Sequence, residues 1–597
     1  MGLKETLSEY VMWIVINVVI LFTKISSKIF APHIIKDKIL YANGGRAAPL
    51  AEIKTNLGSE YMLEMEKNLA KNGDFECIIN GYFSLKGQTS GCGDKSKLLS
   101  KLLMDSKLCA AAFYDSGLRK GDVVHFLIPN CTEYHNLAIG IWACEGVCSV
   151  SDPGLAVPVM KKQMEDTNAK FIICYEHNRK TVLDCLTQLN QVDKVKVIVL
   201  EKSLPKENED LPITEPNFRF YKEFLSEAEK LPQPPMMQNG LMKDDETVLI
   251  YWSSGTTGDP KGIQYSLENM RYGIGGMRAQ GSFFTTLSTT CMFHAGGFLM
   301  PFYSVQGKTK TIFNHGNDID NEEVCETLYA EIDQFKPFWL MFGSHHLVQM
   351  SKYSPKNKAL NLKSVVAASP MGSTVPLDLN QSLKKIFPGF AGVVHFYGMT
   401  EMPNYGTLTF DLSKLGKLMM KDTKLKLVDP DTGKLCGPEE VGEIFMGGPY
   451  KPMKGYLNRP EENQKFFAGD NWYRTGDLAR YDSKGNLYYE GRQKELIKYK
   501  NCHLYPLEIE NVISQHPNVV ESGVFGKPDD EVQELVTAAV VKVPGTNVTE
   551  QEIIELVNGQ VDDAKKLRGG VIFVKELPKS VTGKTQRRKL LELYGSK

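Results

Sequence analysis

The chain has 597 residues, more than a single hydrophobic core ordinarily supports, so it is expected to divide into at least two domains. Its 42% apolar and 24% charged residues make an ordinary globular composition. A formal net charge of -1 excludes a global electrostatic pull toward nucleic acid or acidic lipid. The 12 cysteines are scattered, with no C-x-x-C pair and no His/Cys cluster at zinc spacing, and read as reduced thiols of a cytosol-facing protein. Asn130-Cys131-Thr132 and Asn547-Val548-Thr549 fit the glycosylation sequon, a triplet that arises readily by chance.

The first predicted element is the apolar run "YVMWIVINVVILF", residues 10–22, in which only Asn17 is strongly polar. It is short for a spanning helix, which needs about 20 apolar residues, although residues out to Phe30 can extend it. No basic start or small-residue cleavage site marks a secretory signal, while Lys24, Lys28, Lys36 and Lys38 follow the run. Residues 1–40 are therefore expected to be a membrane anchor, either spanning or lying in the interface, with the rest of the chain in the cytosol. The alternative is a core helix packed on the first domain. "MGLKET" also fits the permissive myristoylation pattern, with Gly2 and Thr6.

From residue 45 strand-like and helix-like segments alternate, as in α/β proteins. "GDVVHFLIPN" (121–130), "AKFIICYE" (169–176) and "KVKVIVLE" (194–201) predict strands. Residues 202–245 are rich in Pro, Glu and Lys and predict a surface connection. The apolar run "TVLI" then enters "YWSSGTTGDPKG" (251–262), where Ser253, Ser254, Gly255, Thr256, Thr257 and Gly258 precede Lys261. Glycines let backbone N–H groups turn toward an anion, and hydroxyls add donors, so this stretch reads as a phosphate cradle. It is not the G-x-x-x-x-G-K-[ST] loop: counted from Gly255, Pro260 replaces the second glycine and Gly262 replaces the metal-binding hydroxyl. A metal ligand must come from elsewhere.

Further along, "CMFHAGGF" (291–298) sets His294 between apolar residues and glycines, and "FGSHHL" offers His345 and His346 without an evident third metal ligand. "VVHFYGMTE" (393–401) runs from a strand into a turn holding Thr400 and Glu401. "WYRTGDLARYDSKGNLYYEGR" (472–492) places Asp477 and Arg492 each behind a glycine. A domain boundary is expected near 491–510, followed by a helix opening at Pro506, strands at "VVESGVFG", "ELVTAAVVKV" and "GVIFVKEL", and a capping box over 549–552. The tail "LPKSVTGKTQRRKL" (577–590) puts Lys584 on a Gly-containing turn; it lacks interleaved aromatics, so nucleic acid is not an expected partner.

Together and in this order, these stretches resemble the adenylate-forming superfamily of acyl-CoA synthetases, 4-coumarate CoA ligases, luciferases and adenylation domains, over roughly residues 45–597. The resemblance implies α/β and α+β architecture: a large N-terminal ATP- and acid-binding domain (45–490) with a β-barrel subdomain, and a small mobile C-terminal α+β lid (491–597). It implies that ATP and a small-molecule carboxylic acid give an acyl-adenylate and pyrophosphate, after which coenzyme A displaces AMP. Ser253, Ser254, Gly255, Thr256, Thr257, Gly258 and Lys261 would hold the leaving pyrophosphate, Glu401 would bind Mg2+, and Asp477 would accept from the ribose hydroxyls with Arg492 beside it. Lys584 would bridge carboxylate and α-phosphate, and Thr400 would contact the AMP phosphate. Lys494 would be the hinge, and Lys498 would replace Lys584 for the second step. His294, His345, Tyr397, Gly398 and Met399 would line the acid pocket, with His294 the wall toward the CoA tunnel.

Two departures from the family pattern are Asn501, where glycine is usual, and Leu267, where histidine is common. Asn tolerates positive φ, so the turn is expected to survive at the cost of a narrower thiol tunnel. The hydrophobic N-terminus favours a lipophilic acid, so the expected activity is an AMP-forming, membrane-associated fatty acyl-CoA synthetase. The alternatives are a carrier-charging adenylation enzyme, a luciferase-like oxygenase and a noncatalytic membrane-bound nucleotide or acyl sensor. The sensor reading sits poorly with the presence of Glu401, Asp477 and Lys584.

Overall fold

The computed structural model describes residues 34–41, 56–80, 96–201, 213–239, 242–253, 260–271, 284–306, 310–314, 322–372, 375–402, 406–418, 423–500, 502–579 and 584–595. The apolar run 10–22 with its acylation pattern, the residues Ser254, Gly255, Thr256, Thr257 and Gly258, and Asn501 lie outside these segments. Among the described residues no helix is long and apolar enough to cross a membrane.

The three apolar runs form Val123–Leu127, Phe171–Tyr175 and Lys196–Leu200, parallel neighbours in one sheet. Their near-continuous apolar character has a structural cause, since a parallel sheet covered on both faces buries every side chain rather than alternate ones. Eight strands make this sheet: Gly455–Tyr456, Lys261–Ser266, Thr247–Ser253, Val147–Val150, Val123–Leu127, Phe171–Tyr175, Lys196–Leu200 and Phe218–Phe220. Against it the helix Glu133–Ala143 is buried along its whole length. Close approach is possible because a Cβ on Gly58 would stand 2.2 Å from Ala143 N, and one on Gly140 would stand 2.5 Å from Cys109 Cβ.

Residues 202–245 depart from the expected surface connection. They hold the edge strand Phe218–Phe220 and the helix Tyr221–Ala228, which buries Tyr221, Phe224 and Ala228 at i, i+3 and i+7. The apolar spacing was present, but surrounding Pro, Glu and Lys residues diluted it.

A second, seven-stranded sheet runs Gly392–Val393, Ala367–Met371, Trp339–Gly343, Thr286–Ser288, Thr311–Phe313, Glu76–Asn80 and Ser96–Leu98, parallel except at the last strand. The barrel subdomain takes the form of an antiparallel six-stranded sheet, Ile34–Lys36, Ile39–Tyr41, Lys424–Val428, Gly442–Gly447, Trp472–Tyr481 and Leu487–Arg492, whose path is open among the described residues. It shares one continuous core with the eight-stranded sheet, joining Leu425, Ile444 and Tyr481 to Trp142 and Tyr251.

Asn130 lies where the two α/β sheets meet. It is 5% exposed, accepts from Met292 N at 2.7 Å and donates to Thr290 O at 2.9 Å, so its sequon is no surface acceptor. It also donates to the carbonyl of Asn314, whose side chain donates to the fully buried Glu331 at 2.7 Å. Burial pushes the Glu331 carboxyl up to about 8, against the single hydrogen bond from Asn314. The folded-state value lies above the unfolded one, so this group's contribution to stability is full below the ordinary glutamate range and is lost as pH rises through about 8. The thermal midpoint of the parent should therefore fall by about 2–4 °C more than that of Glu331→Gln between roughly pH 6 and 9, measured by calorimetry.

After Arg492 the chain enters a separate core containing Ile497, Ile509, Val524, Val540, Ile553 and Val571. The predicted strands appear as Val519–Asp529, Gln533–Lys542 and Val571–Val574, with Pro506 opening Pro506–Ile513. Thr549 and Glu552 close the predicted capping box at the start of Glu550–Asn558. All described cysteines are free thiols, and all but Cys502 are buried.

Candidate active site

The strands Thr247–Ser253 and Lys261–Ser266 form an antiparallel hairpin in which Ser253 stands opposite Lys261. Both ends of the glycine-rich loop are thereby fixed. Lys261 makes an ion pair with Glu462, and its Nζ lies 5.3 Å from the Tyr456 ring centroid. This pairing holds the Glu462 carboxyl below its ordinary range. Tyr456 in turn donates its hydroxyl to Glu401 Oε1 at 2.9 Å. The Tyr265 hydroxyl donates to the carbonyl of Thr400. A lysine, a carboxylate and the turn that carries it are thus tied to one sheet edge.

Asp477 projects from Trp472–Tyr481 directly opposite Arg492, the last residue of Leu487–Arg492. Arg492 Nε lies 3.1 Å from Asp477 Oδ1, and the Tyr397 hydroxyl donates to Oδ2 at 2.9 Å. Asp477 is 3% exposed, and burial pushes its carboxyl up, opposed by Arg492, Tyr397 and Lys584. A buried carboxylate held by one hydroxyl and one guanidinium keeps acceptor capacity for a neutral diol.

Lys584 arrives from the C-terminal unit. It is exposed to water and lies within electrostatic reach of Arg492, Asp477, Glu401 and Glu495. Desolvation and the neighbouring Arg492 hold its ammonium below the ordinary lysine range, while Asp477, Glu401 and Glu495 act the other way. His294, just before the helix Ala295–Gln306, senses the same lysine: burial foremost, then Lys584, lowers its pKa to about 4, so it is neutral at pH 7. Its Nε2 is buried with no hydrogen-bond partner among the described residues.

Five residues widely separated in sequence, His294, Glu401, Asp477, Arg492 and Lys584, are therefore brought within electrostatic reach of one another. Two cations facing a buried carboxylate suit a ligand with both anionic and hydroxyl groups. Glu401, oriented by one tyrosine hydroxyl, offers the hard oxygen that a magnesium ion takes.

Other expected site residues stand apart or act differently. Tyr397, expected in the acid pocket, places its hydroxyl on Asp477, and Gly398 and half-buried Met399 follow it toward Thr400. His345 and His346 begin the helix Ser344–Lys352 with ring centroids 3.9 Å apart, and His346 Nδ1 meets Thr289 Oγ1 at 3.0 Å. Lys494 is exposed in the 3-10 turn Gln493–Glu495. Lys498 is exposed on Ile497–Tyr499. Leu267 is 2% exposed and belongs to the main core. Sequence reasoning missed Tyr456, Glu462 and Tyr265, which position Glu401, Lys261 and Thr400.

Comparison with known proteins decides the family. Residues 94–457 match the family model "AMP-binding enzyme", and residues 508–584 match "AMP-binding enzyme C-terminal domain". The chain belongs to the adenylate-forming enzymes. Among the relatives of this adenylate-forming enzyme, 4-coumarate--CoA ligase-like 4 of Oryza sativa subsp. japonica is 30% identical over 82% of this chain and 86% of its own. Luciferin 4-monooxygenase of Photuris pensylvanica is 28% identical over 86% and 92%. The fold is that of an anthranilate CoA ligase in complex with anthranoyl-AMP, with a TM-score of 0.73 at 19% identity over 91% of this chain and 98% of that one. It is also that of o-succinylbenzoate CoA synthetase from Bacillus subtilis in complex with its acyl-adenylate intermediate, with a TM-score of 0.69 at 21% identity over 88% and 97%.

Proposed function

We propose that the chain is an ATP-dependent acid:CoA ligase that activates a lipophilic carboxylic acid, a fatty acid in the first instance. In the first step a carboxylate oxygen attacks the α-phosphorus of ATP, the bond to the pyrophosphate oxygen breaks, and an acyl-adenylate forms. In the second, the thiolate of coenzyme A attacks the acyl carbon and AMP leaves with the bonding pair. The convergence of Lys584 with Asp477, Arg492 and Glu401 is the observation that carries this reading.

In this reading Asp477 accepts from the ribose hydroxyls, fixing the nucleotide. Lys584 lies between the acid carboxylate and the α-phosphate and offsets the repulsion of two anions brought together. Lys261, held by Glu462, supplies positive charge at the end of the anion-binding hairpin. Glu401 is the ligand for Mg2+, which would neutralise phosphate charge. Neutral His294 walls the acid from the thiol entry. Lys498, on the other side of the lid, serves the second step after rotation at Lys494.

The choice of a lipophilic acid rests on the apolar run 10–22, which we propose anchors the protein to a membrane with its catalytic domains in the cytosol. A panel of short, aryl and long-chain acids offered with ATP, Mg2+ and CoA, with thioester detected by mass, tests the reading. Medium- or long-chain acids should give the highest kcat/KM, and deletion of residues 1–40 should move the protein from membrane to soluble fractions. Thioester from aryl acids alone would reject the substrate class, and no thioester from any acid would reject the CoA step. The similarity to luciferin 4-monooxygenases favours one second reading, an oxygenase acting on the acyl-adenylate. Acid- and ATP-dependent oxygen uptake without CoA would select it.

A further inference from the structure

The position of Lys584 in the site requires the C-terminal unit to sit against the large domain in one orientation. A side chain outside the site reaches across that junction. Lys352, the last residue of the helix Ser344–Lys352 in the large domain, donates its Nζ to the carbonyls of Val520 at 2.6 Å and Val519 at 3.2 Å in the lid.

A bulge in the lid strand accounts for the access to Val520. Val519–Asp529 pairs with Gln533–Lys542, but the register shifts between Val519 and Glu521, leaving Val520 without a partner in the ladder. A bulge of this kind turns backbone groups out of the sheet. Desolvation holds the Lys352 ammonium below the ordinary lysine range, while two carboxylates, Glu521 of the lid and Asp378 of the large domain, act the other way.

The same strand carries the segment that presents Lys584. Lys579 pairs with Glu521 at 3.0 Å, one residue from the contact with Lys352. Thr585, Leu577 and Leu590 pack over Gly523, where a Cβ would stand 2.7 Å from Leu590 Cδ1 and 3.1 Å from Thr585 Cγ2. A path through described residues therefore runs from Lys352 through Val519, Val520 and Glu521 to Gly523 and Thr585, the neighbour of Lys584.

We infer that Lys352 is a positioning residue for adenylate formation: it latches the bulged start of the lid strand Val519–Asp529 and so holds Lys584 in the site, with no part in thioester formation. The contact belongs to the orientation in which Lys584 occupies the site and would break once the lid turns away. A charged lysine on two carbonyls at a solvent-exposed rim is a modest restraint, and its loss should shift the lid population rather than unfold the protein. The inference rests on the acid-activation reading for its kinetic arm.

The test uses the full-length protein as parent, Lys352→Met and Lys352→Arg. Acid-dependent exchange of pyrophosphate into ATP should fall about five- to tenfold in Lys352→Met and recover at least in part in Lys352→Arg. Thioester formation from chemically prepared acyl-adenylate and CoA in a single turnover should stay within twofold of the parent in both. Exchange unchanged in Lys352→Met, or both half-reactions falling together, overturns the inference. A second arm needs no catalysis: spin labels on Leu377→Cys and Leu593→Cys, both exposed, in a Cys92→Ser and Cys502→Ser background report the distance between large domain and lid. Lys352→Met should broaden that distance distribution, and an unchanged distribution overturns the latch. A parent with no exchange but a distribution that broadens in Lys352→Met would reject the ligase reading and leave the latch standing.

Discussion

Replacing Lys584 with alanine is expected to slow acid-dependent exchange of pyrophosphate into ATP at least about a hundredfold, ~2.7 kcal/mol of transition-state stabilisation, with ATP binding largely intact. The asymmetry follows from where the lysine sits. In the proposed reading Asp477 and Arg492, on paired strands of the six-stranded sheet, still hold the nucleotide, whereas Lys584 comes from the C-terminal unit to where the acid carboxylate would approach the α-phosphate. An interaction stronger in the transition state than in the ground state costs rate without costing affinity when it is removed. The pH dependence carries a sign as well. Because desolvation and Arg492 hold the Lys584 ammonium below the ordinary lysine range, its charge is lost at lower pH than for a free lysine. Exchange by the parent should fall on the alkaline side while Lys584→Arg, charged throughout, shows no such limb. Equal exchange by Lys584→Ala and the parent would remove the lysine from the mechanism.

The parts of this molecule visible in its sequence are those whose physics is local. Val123–Leu127 and Phe171–Tyr175 announce themselves because a strand buried on both faces needs consecutive apolar residues, and the Thr549–Glu552 capping box because its partners are three residues apart. Asp477 and Arg492 stand 15 positions apart yet meet because two antiparallel strands pair in register. Their motif carried them, although spacing alone did not require the contact. What was missed depends on long-range pairing. Tyr456 reaches Glu401 across 55 residues and Glu462 reaches Lys261 across 201, and neither leaves a local pattern. Tyr397 shows the same limit from the other side: the family resemblance marks it as a pocket residue, but only the fold assigns its hydroxyl to Asp477.

The second large effect is expected at Asp477. Asp477→Asn should weaken ATP binding at least about tenfold and cost about 2–3 kcal/mol of folding stability. The carboxylate is nearly enclosed and takes both the Tyr397 hydroxyl and the Arg492 guanidinium. An amide of the same shape keeps one acceptor oxygen, turns an N–H2 toward one of two donors, and leaves Arg492 without its counter-charge beside Lys584. Breaking one half of a fully buried ion pair costs about 3–5 kcal/mol, but the Arg492 side chain is 33% exposed, so water recovers part of that penalty. Tyr397→Phe separates the two contributions. It removes one hydrogen bond and leaves the charge pair, so it should cost about 1 kcal/mol and weaken ATP binding only a few-fold. Denaturant titration measures the first quantity and calorimetric titration with ATP the second. If Asp477→Asn bound ATP as tightly as the parent while losing stability, Asp477 would be a structural partner of Arg492 alone, and the ribose would have to be held elsewhere in the site.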